Sequence, residues 1–593
     1  MNTSLLRSCI LSNFAFALAM AASSTMAAED DPLKVGIELA KARKFQDAIV
    51  QFDRAIGANA QSAEAFYLRG RAYAELKKNK QAYEDLTEVV RLDPAHADAW
   101  YMRGHIQARD AKHKRAIEDF TKVIELKPRR ADAHRFRGIS HFELQQFDDA
   151  NADFTKAIER NPKLGEAYYY RARTIRQRGE LSNALPDLET AIGLNPTNPK
   201  WVYERGQIFY WMGDYDRAIA DYTEAIRLDP KTQHYFNDRA AVYGRQGRHD
   251  LAIADLTDAI RLCPDLPFFR HGRGVNYRTL GKNEEALADF AEAVRLMPGY
   301  GPYYAERGEM HALLGHADLA KADLAEATKR MDDRKPNRDF FRGYVAAGNG
   351  FARLEDYPSA IERYTKALEL EPDNAGALAS RGNSYRRLGD LDKALADYQQ
   401  AIELNPESAH AHTSLGNYYL KAGQTANAVQ SYSTALSLDS KLPAAMFNRY
   451  VANFRLGKLE DLGADGRGFI SAKGWREPES NYIAMIEGIV ARRATGESAS
   501  RAALKEALEK CDPKRWPYPI TEHLAGPLSE EELLKKATDL EKKTECHLYI
   551  GLYRSAEGKY SKAIPHLRWV RDNGEREILE YPAAIVELER LGH

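Results

Sequence analysis

The chain has 593 residues, 29% of them charged, with 85 Lys and Arg against 86 Asp and Glu and a formal net charge of -1. That length exceeds one ordinary core and calls for several domains or a repeat array, while the charge balance excludes an overall bias towards nucleic acid or membrane. A hydrophobic content of 44% is that of a folded protein, and abundant alanine with evenly mixed charge points to helix.

Residues 1–27 have the layout of a signal peptide. Arg7 precedes a mostly apolar run, Ile10 to Ala22, and the small residues Thr25 and Ala27 are placed for cleavage before Ala28. The run is shorter than the roughly 20 residues that span a bilayer. The mature chain is expected to be exported and periplasmic, with secretion or an uncleaved N-terminal tether as alternatives. Cys9 lies before the apolar run, which argues against a lipid-modified cysteine at the cleavage site.

From residue 29 the sequence repeats itself. Pro94, Pro128, Pro162, Pro196, Pro230, Pro264 and Pro298 fall 34 residues apart, and Pro372 and Pro406 resume the period. Counting back 31 residues from each sets starts at 63, 97, 131, 165, 199, 233, 267, 341 and 375, with copies from 29, 301 and 409 in the same phase. Position 8 is usually glycine (Gly70, Gly104, Gly138, Gly206, Gly274, Gly308, Gly382, Gly416) and position 20 is alanine from Ala48 to Ala428, small residues that let two helices cross closely. Position 24 is Phe, Tyr or Leu, and glycine near position 15 closes the first helix. The proline stops the second helix and begins the next unit. This spacing resembles the tetratricopeptide repeat (TPR) family over residues 29 to about 442. The resemblance implies an all-α, right-handed superhelix (an α-solenoid) of about 12–13 helical hairpins, closed here by a C-terminal helical cap.

Position 7, commonly leucine in that family, is arginine in nine copies: Arg69, Arg103, Arg137, Arg171, Arg205, Arg239, Arg273, Arg307 and Arg381. The same nine carry aspartate at position 23: Asp85, Asp119, Asp153, Asp187, Asp221, Asp255, Asp289, Asp323 and Asp397. Copies with Val35, Ala347 or Leu415 in place of the arginine have Gln51, Arg363 or Ser431 in place of the aspartate. Residues that appear and vanish together are expected to touch, and these are read as structural ion pairs within each hairpin rather than as a ladder for a ligand. The rule identifies a thirteenth copy from 443, with Arg449 and Asp465 paired and Gly457 at position 15. Leu462 and Gly466 replace its usual alanine and large residue, so loose packing is expected there.

The register slips once, by six residues in the charged stretch Lys329 to Phe340. This divides the array into a block of nine repeats over 29–334, a linker or insertion at 335–340, and a second block over 341–476 of three repeats plus the degenerate one. A hinge or a lengthened second helix would each account for the insertion.

Beyond 477 the strict repeat fades. Asn481 to Ala494 and Ser500 to Lys510 read as helices, and Ser529 with Glu532 opens a further helix over Leu528 to Leu540. A final hairpin from 544 places Gly551, Ala563 and Leu567 at positions 8, 20 and 24, and Ile578 to Leu591 supplies a terminal helix. Trp516-Pro517, Leu528 to Leu534, Cys546 with Tyr549-Ile550-Gly551, and Glu580-Tyr581 before Glu587-Leu588 resemble the C-terminal part of bacterial NlpI-like TPR proteins. That resemblance implies an envelope adaptor. The absent lipid-attachment cysteine and the longer array keep anchorage and particular partners from carrying over.

In the TPR family, positions 2, 5, 9, 12 and 13 of the first helix line the binding groove. Here they supply Tyr67, Arg71, Tyr101, Arg135, Tyr169, Arg173, Arg176, Tyr203, Tyr210, Trp211, Arg245 and Arg278. Further on come Asn349, Arg353, Asn383, Arg386, Arg387, Asn417 and Lys421. Tyr and Arg offer large contact area with a directional polar end, although Tyr also packs between repeats. An oxidising compartment would permit a Cys511–Cys546 disulfide. With no HExxH, no phosphate-binding glycine loop and scattered histidines, neither an enzyme, a cofactor nor a metal is expected. The expected function is an exported scaffold or adaptor holding a protein or extended peptide in its groove. Binding of cell-wall glycan through the Tyr/Trp and Asn faces is the alternative, and export argues against nucleic acid.

Overall fold

The structure is a computed structural model that describes residues 31–332, 340–576, 578 and 581–593. The signal-peptide reading of 1–27, most of the 335–340 insertion, and Glu580 of the tail lie outside the described residues. Among the described residues there are 33 α-helices, one short 3-10 helix and no strand. Through the array a helix of 13 residues is followed by one of 14, as in Gly165–Gln177 and Leu181–Leu194. The hairpins are numbered 1 to 13 from the repeat starts at 29 to 443.

Small residues set the helix crossing. The alanines at position 20 are fully buried, for example Ala116, Ala150 and Ala184. A Cβ on Gly138 would lie 2.8 Å from the Phe154 ring, and one on Gly382 would lie 2.8 Å from the Tyr398 ring. The glycine at position 8 thus leaves the space that the large residue at position 24 fills. The chain turns between helices through a left-handed residue at position 15. Glycine serves in most hairpins (Gly179, φ 83°), but Arg43, Lys77, Ala111, Gln145 and Glu355 take the same conformation at φ between 56° and 60°. At the far end an Asp or Asn before the proline accepts from the backbone two residues on, as Asp93 does from Ala95 and Asn161 from Lys163, forming the turn into the next hairpin.

The chain divides into two compact units, one ending at Phe269 and one beginning at Arg270. This boundary falls inside hairpin 8, away from the 335–340 insertion. Hairpins 9 and 10, on either side of that insertion, share a buried cluster of Ala305, Leu324, Ala327, Met331, Phe340, Tyr344, Ala346 and Ala347. The second helix of hairpin 9 runs on to Asp332, giving 16 residues. The first helix of hairpin 10 presses Gly343 onto Pro302, where an added Cβ would stand 2.9 Å from the proline Cβ. Packing this close makes the junction a firm contact.

Hairpin 13 corrects the expectation of loose packing. Tyr450 stands at position 8 and Gly466 at position 24, exchanging the usual small and large places, and Tyr450 is 1% exposed. A Cβ on Gly466 would lie 3.1 Å from the Tyr450 ring and 2.8 Å from Ile483, so the swap fills the same space from the opposite helix.

The helices Pro478–Ala494 and Glu497–Lys510 form a further hairpin that follows the repeat rule unnoticed in the sequence. Gly488 faces Leu504 sixteen residues on, and Ser500 takes the alanine place, donating its hydroxyl to the Gly488 carbonyl at 2.7 Å. The helix opened by Ser529 has the expected capping box but ends at Lys536, and Asp539 caps the next helix, Leu540–Ala556. That helix pairs with Tyr560–Asn573, Gly551 against Leu567, and the terminal helix Tyr581–Arg590 packs beside them.

Candidate functional site

Ten hairpins set the arginine at position 7 against the aspartate at position 23. In each, Nε and Nη2 donate to the two carboxylate oxygens at 2.6 to 2.9 Å, from Arg69–Asp85 through Arg449–Asp465. The aspartates are buried and the arginines partly so. In several of them the remaining Nη1 reaches back to a side chain at position 25 of the preceding hairpin. Arg137 meets Thr121 at 3.1 Å, Arg171 meets Thr155 at 3.2 Å, Arg239 meets Thr223 at 2.9 Å, Arg381 meets Thr365 at 3.2 Å and Arg449 meets Ser433 at 3.0 Å. Each such arginine joins three helices and two hairpins.

The first-helix face of the first unit is largely turned inward on itself. Tyr67 packs on the His96 ring beneath the Arg71 guanidinium. Tyr101 lies 3.7 Å from the Arg130 guanidinium and meets Phe136 edge-on, while Arg135 covers Phe136 and pairs with Glu166. His105, enclosed by these rings, is pushed down to about 4, first by burial and then by Arg135. Arg173 and Arg176 converge on buried Glu204 at 3.9 and 2.8 Å. Tyr169 stacks near Trp201, and burial pushes its hydroxyl up to about 12. The Tyr203 hydroxyl donates to Asp238 at 2.5 Å and accepts from Gln207 at 2.6 Å. Burial, then the Asp238 charge, holds that phenol well above its ordinary range.

Tyr210, Trp211 and Arg245 behave differently. Arg245 Nε donates to the Tyr210 hydroxyl at 2.8 Å, and the Trp211 ring leans on Tyr210 at 5.2 Å. Trp211 is still 62% exposed, the most exposed large apolar side chain among the described residues.

In the second unit Arg278 Nη1 donates to two buried carboxylates, Glu306 at 2.5 Å and Glu309 at 2.9 Å. Glu306 also meets His271 at 3.5 Å. Glu309 accepts from Asn349 at 3.0 Å, and burial pushes its carboxyl up to about 7 against the pull of Arg278. The amides at position 9 have internal partners. Asn349, Asn383 and Asn417 accept from the hydroxyls of Tyr364, Tyr398 and Tyr432, the large residues at position 24 of the same hairpins, at 2.7, 2.9 and 2.8 Å. Asn383 then donates to Ser414, and Asn417 accepts from Asn448. Arg353, Arg386 and Arg387 line a cleft of about 480 Å³ in hairpins 10 and 11, and Lys421 is exposed in hairpin 12.

Sequence reasoning missed the acids. Glu204, Asp238 and Glu306 all stand at position 6, facing Arg or Tyr of the preceding hairpin. For Glu204 and Glu306 the available signal was an acid at that position after an arginine at position 12, Arg176 and Arg278.

The Cys511–Cys546 disulfide is corrected. Both are free, buried thiols in different side-chain clusters, and burial pushes them up to about 11 and about 12. Among the described residues no group of three or more His, Cys, Asp or Glu is arranged to hold a metal ion, and no helix is long and apolar enough to cross a membrane.

Family models described as tetratricopeptide repeat match residues 63–96, 97–130, 137–199, 200–232, 234–266 and 409–442, and one described as TPR repeat matches 348–389 and 382–423. Similar solved structures include the APC/C hetero-tetramer Cut9–Hcn1, at 14% identity and TM-score 0.39, covering 73% of this chain and 98% of that one. YrrB, described as a TPR protein with an unusual peptide-binding site, shares 21% identity at TM-score 0.29 over 32% of this chain and 99% of its own. A tetratricopeptide repeat protein from Parabacteroides merdae shares 18% identity at TM-score 0.34 over 41% of this chain and 93% of its own.

Proposed function

The chain belongs to the tetratricopeptide repeat family, and on that premise we propose that it is an exported, non-catalytic scaffold holding a protein or extended peptide on its first-helix face. The observation that carries this reading is Trp211. A tryptophan left 62% exposed forgoes much of its hydrophobic stabilisation, on the order of 1–2 kcal/mol. Arg245 and Tyr210 hold it in place instead of covering it. Exposed aromatic and arginine side chains in one fixed cluster are the composition of binding hot spots. Most other groove candidates are tied to neighbouring hairpins, so this cluster is the better choice over Tyr169 and Arg173. Export is supported by the signal-peptide layout of residues 1–27.

The test is site-specific photocrosslinking in the native host. A benzoylphenylalanine at position 211 should capture a discrete protein partner, identified by mass spectrometry. The same group at Arg227, an exposed second-helix position, should not. Equal capture from both positions, or none from 211, removes the reading. Fractionation of the same cells tests export: protein confined to the cytoplasm would contradict it.

A further inference from the structure

The first-helix arginines fall into two groups. Arg135, Arg173, Arg176 and Arg278 each face a carboxylate from the following hairpin: Glu166, Glu204 or Glu306. Arg353, Arg386 and Arg387 have no carboxylate at ion-pairing distance among the described residues. They meet instead in the cleft of about 480 Å³ in hairpins 10 and 11, whose lining includes no Asp or Glu. The Arg386 Nε is buried there without a hydrogen-bond partner. Asn349 and Asn383 form part of the wall, fixed from behind by Tyr364 and Tyr398.

Three guanidinium groups line one cleft and repel one another without an ion pair, the charge of buried Glu309 reaching Arg353 only at longer range. Their planar forks match oxyanions, carboxylates above all, with two parallel hydrogen bonds each. Position 13 is cationic in four successive hairpins, Arg353, Arg387, Lys421 and Arg455. One cation per hairpin suits an extended chain bearing repeated negative charges better than a single small anion.

We propose that the cleft of hairpins 10 and 11 docks an acidic, extended peptide segment, with successive Asp or Glu carboxylates taken by Arg353, Arg386 and Arg387. The proposal rests on the scaffold reading above and narrows its partner to an acidic chain. The fixed Asn349 and Asn383 give the wall a rigid polar surface against which such a segment can lie.

Full-length protein titrated with a fluorescein-labelled peptide of alternating Glu and Ser tests it by anisotropy. The expected result is saturable, salt-sensitive binding, weakened about tenfold or more when Gln replaces every Glu of the peptide. The combined variant Arg353→Gln, Arg386→Gln and Arg387→Gln should lose binding to a similar degree with unchanged helicity. Lysine at the same three positions should retain part of it. Arg261→Gln, on an exposed second-helix face, should bind as the wild type does. Equal affinity for the Glu and Gln peptides, or equal binding by wild type and the glutamine variant, overturns the proposal. So does tighter binding of heparin that the glutamine variant loses, since the cleft would then belong to an anionic polysaccharide. If the acidic peptide fails while position 211 still crosslinks a partner, the docking proposal falls and the scaffold reading stands.

Discussion

Arg171 and Asp187 face each other across the fifth hairpin, Nε to Oδ2 at 2.7 Å and Nη2 to Oδ1 at 2.6 Å, while Arg171 Nη1 reaches Thr155 of the hairpin before. Removing the arginine strands a buried carboxylate, and breaking such a pair on one side costs about 3–5 kcal/mol. Replacing both partners by an uncharged pair should cost much less, because hairpin 12 already uses Leu415 with Ser431 at these positions. Arg171→Leu and Asp187→Ser should each destabilise strongly, and the double variant by clearly less than their sum. Urea denaturation with hydrogen exchange over residues 165–194 would measure the coupling. An additive double variant would refute the pairing as a source of stability.

The left-handed turns provide a second prediction. Ala111 sits at φ 56° on an exposed turn, where its Cβ is crowded by the backbone and makes no buried contact in return. Gly179 occupies the equivalent place in hairpin 5 at φ 83°. Ala111→Gly should stabilise hairpin 3 by about 1 kcal/mol, and Gly179→Ala should destabilise hairpin 5 by a similar amount. Melting curves of the two variants against wild type decide it. Shifts of the same sign for both would show that turn conformation is not the controlling factor.

The hairpins were readable because each depends on residues of its own 34-residue unit, such as Gly138, Ala150 and Phe154. The sixteen-residue spacing of Arg171 and Asp187 was readable for the same reason, and because both are missing together in three copies. Contacts between units were harder to see. The hydroxyl of Thr155 serves an arginine of the next hairpin, so its role shows only when adjacent copies are compared. Glu204 meets Arg176 across the same kind of boundary, which is why arginines grouped on one face by periodicity separate into paired and unpaired sets in three dimensions. Asn383 is a further case. Helical phase assigns it to the open face, yet the Tyr398 hydroxyl on the partner helix claims its carbonyl. The exchange of Tyr450 and Gly466 preserves the volume of the core while inverting the pattern that marks it.

The tyrosine–asparagine pair leads to a third prediction. Tyr398 is fully buried and its hydroxyl satisfies Asn383, whose amide in turn donates to Ser414 of the next hairpin at 3.2 Å. Tyr398→Phe keeps the ring against Gly382 and removes one hydrogen bond, which should cost about 1 kcal/mol. Asn383→Leu removes both polar links and leaves the tyrosine hydroxyl unpaired, which should cost more, roughly 2–3 kcal/mol. The order of the two losses in thermal denaturation is the readout. A tyrosine variant as damaging as the asparagine variant would mean the ring packing, not the polar chain, holds hairpins 11 and 12 together.

Glu309 supports a prediction about pH. Its carboxyl is enclosed between Arg278 and Asn349, with Glu306 beside it, and burial outweighs the arginine to push it from the usual 4.5 up to about 7. The unfolded chain therefore releases this proton at lower pH than the folded one does. Between about pH 4.5 and 7 the unfolded state binds fewer protons at this site, so stability falls as pH rises and levels off above 7, by an amount on the order of 3 kcal/mol. Glu309→Gln cannot ionise, but its one amide oxygen can keep only one of the two contacts that Oε2 makes with Arg278 and Oε1 with Asn349, so the variant also carries a loss that does not depend on pH. At pH 4.5 the variant should therefore be the less stable of the two by that fixed amount. Relative to wild type the variant should gain steadily through pH 6, and the difference between them should be constant above 7. Melting temperatures taken in parallel across that range isolate the contribution, because every other titrating group is shared. A difference that stays flat with pH would show that Glu309 ionises as an ordinary carboxylate and that Arg278 compensates fully for its burial.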